Sequence, residues 1–515
     1  MRALVVACLL GLAAGRFAQD AQVAPDRTAP ALVHQGIDLL RAGQVADAES
    51  RFAAALERVP GLPLAHYFLG VIRERSRDWA AAQAEYERAL AGAPDMPEAH
   101  DRLGFVLGQQ GRILEAIARF ERAVGLKADF FDAQYHLGVT LWLADRKTDA
   151  LEPLRAAVAL APEHAEARYY LGLALRTDGD TAGAIASLRR AAALNPRLGV
   201  AHSHLAAVLR EAGDVDGAIE AAREALALEP DRFDALNTLG LALIQKGDAE
   251  GAVATFRRLV AGNPADATAR HNLGSALLHA GDLAGAVEVY GALVRQHPGH
   301  AEGHYNLGAA LKQQDDFTGA EAALARAVAL DPRLADAQYT LGVVRWQTGR
   351  RPEAIDAFQA AIAARPGFAE AHYMLGTVLR QEGRPDEALK EFRRTLELNP
   401  SSAEAHLGIG QILQRRGDRV VAAAAFAEAE RLNAVKADAQ AATFALSVGR
   451  KRLAAGDLPG ALEQFREAVR LVPASAQAHY QLALALRRSG ERALATRHFD
   501  EAHRLDPSLV APPEG

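Results

Sequence analysis

Prolines in this chain fall on a comb. Pro60, Pro94, Pro162, Pro196, Pro230, Pro264, Pro298, Pro332, Pro366 and Pro400 lie 34 residues apart, or twice that across the tooth held by Ala128. Ala434 holds the next tooth; five extra residues follow before the comb resumes at Pro473 and Pro507. A fixed period of this length means that one supersecondary unit has been copied and stacked. With each proline at position 32, fourteen repeats start at residues 29, 63, 97, 131, 165, 199, 233, 267, 301, 335, 369, 403, 442 and 476.

Each repeat reads as two helices. Positions 4, 7, 8 and 11 carry the i, i+3, i+4, i+7 spacing of one helical face, as in His372, Leu375, Gly376 and Leu379. Glycine stands at position 15 in eleven repeats (Gly43, Gly213, Gly383), where a helix C-terminus wants a left-handed residue. Asp214, Asp248, Asp282 and Asp457 follow at position 16, placed to cap the second helix, and Pro352, Pro385 and Pro459 fit its first turn. Position 20 is alanine in all fourteen repeats, and position 24 is aromatic in ten. Glycine at position 8, in twelve repeats, costs a mid-helix site about 1 kcal/mol against alanine. A cost repeated so often implies a contact that needs the missing side chain, and Gly at 8 with Ala at 20 is the small pair expected to bring the two helices close. One hairpin cannot bury its apolar face alone; stacked neighbours can.

Composition removes several function classes. A net charge of −6 over 515 residues supplies no electrostatic reason for a nucleic-acid partner. Arg2 precedes an apolar run from Ala3 to Ala14, and Ala13-Ala14-Gly15 offers small residues for cleavage, so residues 1–15 read as a secretory signal. An exported protein, periplasmic or secreted, is expected; a cytoplasmic one with an apolar N-terminus is the alternative. Cys8, the single cysteine, lies inside that run, so cleavage would leave a mature chain with no thiol for a disulfide, a zinc site or a nucleophile. Residues 16–28 form a linker, 29–436 twelve repeats, 437–441 a slip in phase, 442–509 two further repeats and 510–515 a tail. The slip lies in "RLNAVKADAQAATFALSVG" (431–449), where a helix overrunning its turn is expected to dock the final two repeats at a different angle. No later segment is apolar enough to cross a membrane, so membrane association is expected only through a partner.

The spacing "AHYMLG…G…A…F…NP", from Ala371 to Pro400, resembles the tetratricopeptide repeat, and the resemblance spans 29–509. It implies an all-α fold, a right-handed α-solenoid superhelix of antiparallel hairpins, with a concave groove lined by the first helices. It also implies a role in gripping peptides or partner proteins. One departure is that position 4, often tryptophan in the family, is histidine in seven repeats: His66, His100, His202, His304, His372, His406 and His479.

At 100° per residue, positions 2, 6, 9 and 13 of the first helix lie opposite the buried face, with 12 on its flank. Position 2 is acidic in eight repeats, and positions 12 and 13 are repeatedly cationic, including Arg176, Arg210, Lys312 and Arg380. This reads either as a groove with an acidic edge and a basic stripe, or as charges matched to the helix dipole. Asn272 and Asn306 share position 6 in adjacent repeats, and amides there suit a peptide backbone. Trp142 and Trp346 share position 12, placed either to anchor a ligand or to pack on a neighbouring repeat. His297, His300 and His304 cluster without a carboxylate to complete a metal-ligand spacing, so no metal and no cofactor are expected. There is no P-loop, GxSxG or HExxH motif, and no stretch outside the repeats large enough for a catalytic domain. The expected function is a non-catalytic scaffold for protein or peptide partners in the cell envelope. The alternative is a regulatory or substrate-recruiting subunit of a separate enzyme, such as a glycosyltransferase.

Overall fold

The computed structural model describes residues 28–512 and holds, among them, 27 helices and no strand. The expected signal segment, almost all of the linker and the last residues of the tail lie outside the described residues. Thirteen of the fourteen repeats open on a helix whose first residue is the predicted one, from Ala29 to Ala476. Fourteen hairpins would need 28 helices, and one boundary is missing. The second helix of repeat 12 and the first of repeat 13 are a single helix, Arg419–Ala454, of 36 residues. The expected phase slip at 437–441 is therefore no break in structure. "NAVKADAQAA" contains no proline or glycine, and its five alanines favour continuation over a turn.

The described chain divides at Pro264 into two compact bodies, repeats 1–7 and repeats 8–14. Inside each body, a second helix packs against the first helix of its own repeat and of the next; Arg419–Ala454 is the exception, because the next first helix is its own continuation. Alanine at position 20 is at most 2% exposed in every repeat, from Ala48 to Ala495. The glycine at position 8 serves the residue at position 24 of the same repeat, rather than pairing mainly with that alanine. A methyl group built on Gly36 would stand 2.6 Å from the Phe52 ring, on Gly104 2.8 Å from Phe120, and on Gly376 2.9 Å from Phe392. Repeat 6 inverts the choice: Ala206 replaces the glycine, and position 24 shrinks to Ala222, both fully buried.

Position 15 has positive φ in all fourteen repeats. Eleven of these residues are glycine, and the other three, Arg77, Asp145 and Asp315, are the only non-glycine residues with φ near 60° among those described. A left-handed L-residue costs roughly 1–2 kcal/mol, partly offset by the entropy glycine loses on folding. Arg77→Gly is therefore expected to raise stability by about 0.5–1 kcal/mol in chemical denaturation. An unchanged or lowered midpoint would mean that the Arg77 side chain contributes more than the turn geometry costs. The following turn is closed as the sequence predicts: Asp214, Asp248, Asp282 and Asp457 each accept a hydrogen bond from the backbone N–H three residues on, and so do Asp78, Asp180 and Asp316.

Candidate functional site

The position-4 residues are clamps. Imidazole Nε2 of His66, His100, His304 and His479 donates to the carbonyl of the comb proline six residues earlier, at 2.9–3.1 Å. Gln134 and Arg168 make the same bond where histidine is absent, to Ala128 and Pro162. The carbonyl at position 32 lies just past the end of the second helix, and position 4 of the next repeat satisfies it. Histidine at this position is thus a structural choice. The 297–304 cluster dissolves in the same way: His297 bonds the Ala265 carbonyl, His300 caps its own helix, and His304 bonds Pro298. Among the described residues, no group of three His, Cys, Asp or Glu side chains is placed to hold a metal.

Position 13 is exposed in all fourteen repeats, as predicted, but positions 6 and 9 are not. Thr238 and Thr340 at position 6 and Thr377 at position 9 are buried, and most other residues there are half-buried. First helices of neighbouring repeats touch one another within a body, which covers a flank that a single-helix projection leaves open.

The eight predicted site residues therefore part company. Asn306 and Asn272 are half-buried, and the Asn306 amide contacts His271 of the preceding repeat at 3.3 Å. Arg176 forms a two-pronged pair with Glu211 of the next repeat, at 2.5 and 3.1 Å. Trp346 donates its indole N–H to Gln381 of the next repeat at 2.9 Å and packs on the core. Trp142 is half-buried under the Lys147 ammonium, 5.5 Å from its ring. Arg380 reaches Gln411 of the next repeat. Of the set, Arg210 and Lys312 are half-buried and form no ion pair among the described residues, and the Arg210 Nε is buried without a hydrogen-bond partner there. The acids at position 2 are partly committed as well: Asp336 grips Arg365 at 2.5 Å, and Glu98 lies 3.7 Å from Lys127, each tying the start of its repeat to the end.

The structure also reveals a polar cluster that residue pattern alone missed. Asp101, at position 5, is 0% exposed, and Glu74, at position 12, is 6% exposed. One Asp101 oxygen lies 2.8 Å from His136 Nδ1, while the other has no hydrogen-bond partner among the described residues. Glu74 accepts from the Tyr86 hydroxyl at 2.7 Å and from Arg102 at 3.3 Å. Burial, then the Glu74 charge, pushes the Tyr86 phenol far above its ordinary range, and burial lifts Tyr67 to about 12. The signal in the sequence is an acid at position 5 and another at position 12, where no other repeat carries one.

Burial opposes a proton on His136, but the Asp101 carboxylate outweighs it, and the imidazole pKa ends above its ordinary value. Asp132, facing the same cluster, is raised by burial, whereas His164 beyond it is lowered by burial. A histidine raised on folding stabilises fully below its unfolded pKa of about 6.5 and loses that contribution as pH rises through the folded value. Corrected for intrinsic exchange rates, amide protection in Pro97–Gln109 and Phe131–Leu143 is expected to weaken as pH rises above the ordinary imidazole value of about 6.5. His136→Gln should flatten that dependence while leaving the opposing His164 contribution; a profile identical in the variant would refute the assignment.

Comparison with known proteins gives the class. A family model for the tetratricopeptide repeat matches residues 34–100, 102–164, 146–198, 205–267, 245–301, 271–335, 305–369, 339–403 and 373–442, and a second TPR-repeat model matches 449–490. The chain belongs to the tetratricopeptide repeat family. Among solved structures it is similar to MamA, at 30% identity over 32% of this chain and 96% of that one, with a TM-score of 0.31. It is also similar to Pseudomonas aeruginosa PilF, at 22% identity over 39% and 91%, TM-score 0.36. YrrB, a TPR protein with an unusual peptide-binding site, is 24% identical over 43% and 94%, TM-score 0.25. No curated protein matches the chain.

Proposed function

We propose that this chain is a non-enzymatic scaffold that holds partner proteins or peptides against the edge that the first helices of each body form at their C-terminal turns. The observation that carries this reading is that repeated hairpins fill the described chain from Ala29 to Leu505, which leaves faces and edges as the places for function. Arg210 in the first body and Lys312 in the second mark the cations of that edge that no ion pair in the fold engages. Exposed arginines at position 13 add to it, Arg75 in the first body and Arg415 and Arg488 in the second. Unpaired cations at the ends of helices favour a partner that brings carboxylates.

The test is capture from the native cell followed by mass spectrometry, comparing the natural chain with Arg210→Glu and Lys312→Glu. The same partners at the same yield with both variants would count against this edge. Loss of a partner that survives Arg197→Glu, a reversal in the exposed loop before repeat 6, supports it. The export reading, supported by Arg2 and the apolar run to Ala14, is tested separately. Sequencing of the protein from its own cell should read from Arg16, and an intact N-terminus would place it inside the cell.

A further inference from the structure

The helix Arg419–Ala454 is unlike every other in the chain. At position 28 all repeats carry an aliphatic residue except repeat 12 (Glu430) and repeat 14 (His503); at position 10 all are uncharged except repeat 1 (Asp38) and repeat 13 (Lys451). Repeats 1 and 14 are the outer repeats of the series. Repeat 12 is thus finished like an end and repeat 13 like a beginning, although one unbroken helix joins them. The residues that elsewhere face a neighbouring helix are bare here. Phe444 stands at position 3, where twelve other repeats carry alanine and one glycine, and it is 71% exposed; Val420 is 84% exposed.

These exposed residues share one seam. From Val420 to Lys451 every step of three or four residues lands on it, a heptad spacing held for ten positions, and nine of them are exposed while Val448 is half-buried. Eight of the ten are apolar; the two charged members, Glu430 and Lys451, have opposite signs. Sustained 3.5-residue spacing is the pattern by which one helix packs along another. The charges choose the partner and its direction. Two copies side by side in parallel would set Glu430 against Glu430 and Lys451 against Lys451. Run antiparallel about a two-fold axis beside Ala439, Phe444 of one copy meets the partner subunit's Ala434, and Ala437 meets the partner subunit's Ala441. Glu430 then lies one turn from the partner subunit's Lys451, and the two-fold repeats each contact. Large side chain against small, and acid beside base, arise twice from one sequence.

We infer that this seam is the interface of an antiparallel homodimer, in which the helices Arg419–Ala454 of two copies pair about Ala439.

The test is the mass of the full chain by sedimentation velocity in reducing buffer, which removes any disulfide through Cys8. The wild-type chain is expected at roughly twice its 54.8 kDa. Phe444→Glu should return it to a single mass, and Phe444→Ala, the residue most repeats carry there, should weaken the dimer without lowering the melting temperature of the dissociated chain, read at a dilution where both are single. Glu430→Lys and Lys451→Glu should each weaken it, and the two together should restore it, because the reversed charges again meet their opposites. A wild-type chain of single mass, the result if a different protein covers the seam, overturns the inference. So does a dimer that survives Phe444→Glu and both single reversals, since it would be held by another face.

Discussion

Phe392→Ala is expected to destabilise repeats 11 and 12 by about 3–5 kcal/mol, among the largest costs of any single truncation in the chain. The ring is 1% exposed and belongs to two repeats at once. It fills the space above Gly376 in its own repeat, and a methyl group built on Gly408, in the next, would stand 2.7 Å from it. Gly376→Ala should also destabilise, because its new methyl would meet the ring at 2.9 Å, and the overlap outweighs the gain of about 1 kcal/mol in helix propensity. The informative variant is the pair. Gly376→Ala with Phe392→Ala reproduces the Ala206–Ala222 arrangement of repeat 6, so it should cost less than the two single changes added together. Amide exchange of Ala369–Gln381 and Pro385–Leu398 reads the local effect in an array whose unfolding need not be all-or-none. Strict additivity would show that glycine and ring are not one contact.

Ala437→Pro should act on coupling between repeats rather than on a core. Residues 433–441 are exposed on every side within one chain, so no other helix of the same chain holds this span in place. Proline there deletes the bond to the Asn433 carbonyl and collides with it, costing about 3 kcal/mol or more with no packing to absorb the strain. The long helix should divide into two. Repeats 13 and 14 would then melt separately from those before them, and a protease should cut between 433 and 441, where the natural chain resists. Ala437→Gln, a good helix former, serves as the control. Equal protease resistance in the proline variant would mean that the span is not held as helix.

Much of this architecture can be read from the residues because the repeat averages over accidents. Left-handed glycine at position 15, the Asp caps and the buried Ala at position 20 each recur too often to be incidental, and the helix starts follow from them. Reading fails where one residue's role depends on the next repeat. Gly376 needs the ring of Phe392 more than it needs Ala388, which shows only once the rotation of the second helix is fixed. Arg176, Trp346 and Asn306 look like display positions on a lone helix, yet their partners Glu211, Gln381 and His271 lie 35 residues away. That spacing crosses to the next repeat and moves one position along it. Asp101 was missed for a related reason, because its partner His136 also lies at that spacing. The overrun expected at 431–449 was legible, because alanine propensity carries the helix straight through the slip at 437–441.

The described residues are stacked copies of one hairpin, interrupted once by the unbroken helix Arg419–Ala454. Amide exchange along the whole sequence tests this most directly. Protection should rise and fall with a 34-residue period, reaching minima at the turns that carry the left-handed residues and the comb prolines, and then run unbroken across the helix Arg419–Ala454. Fast exchange through 433–441, or protection with no such period, would contradict it.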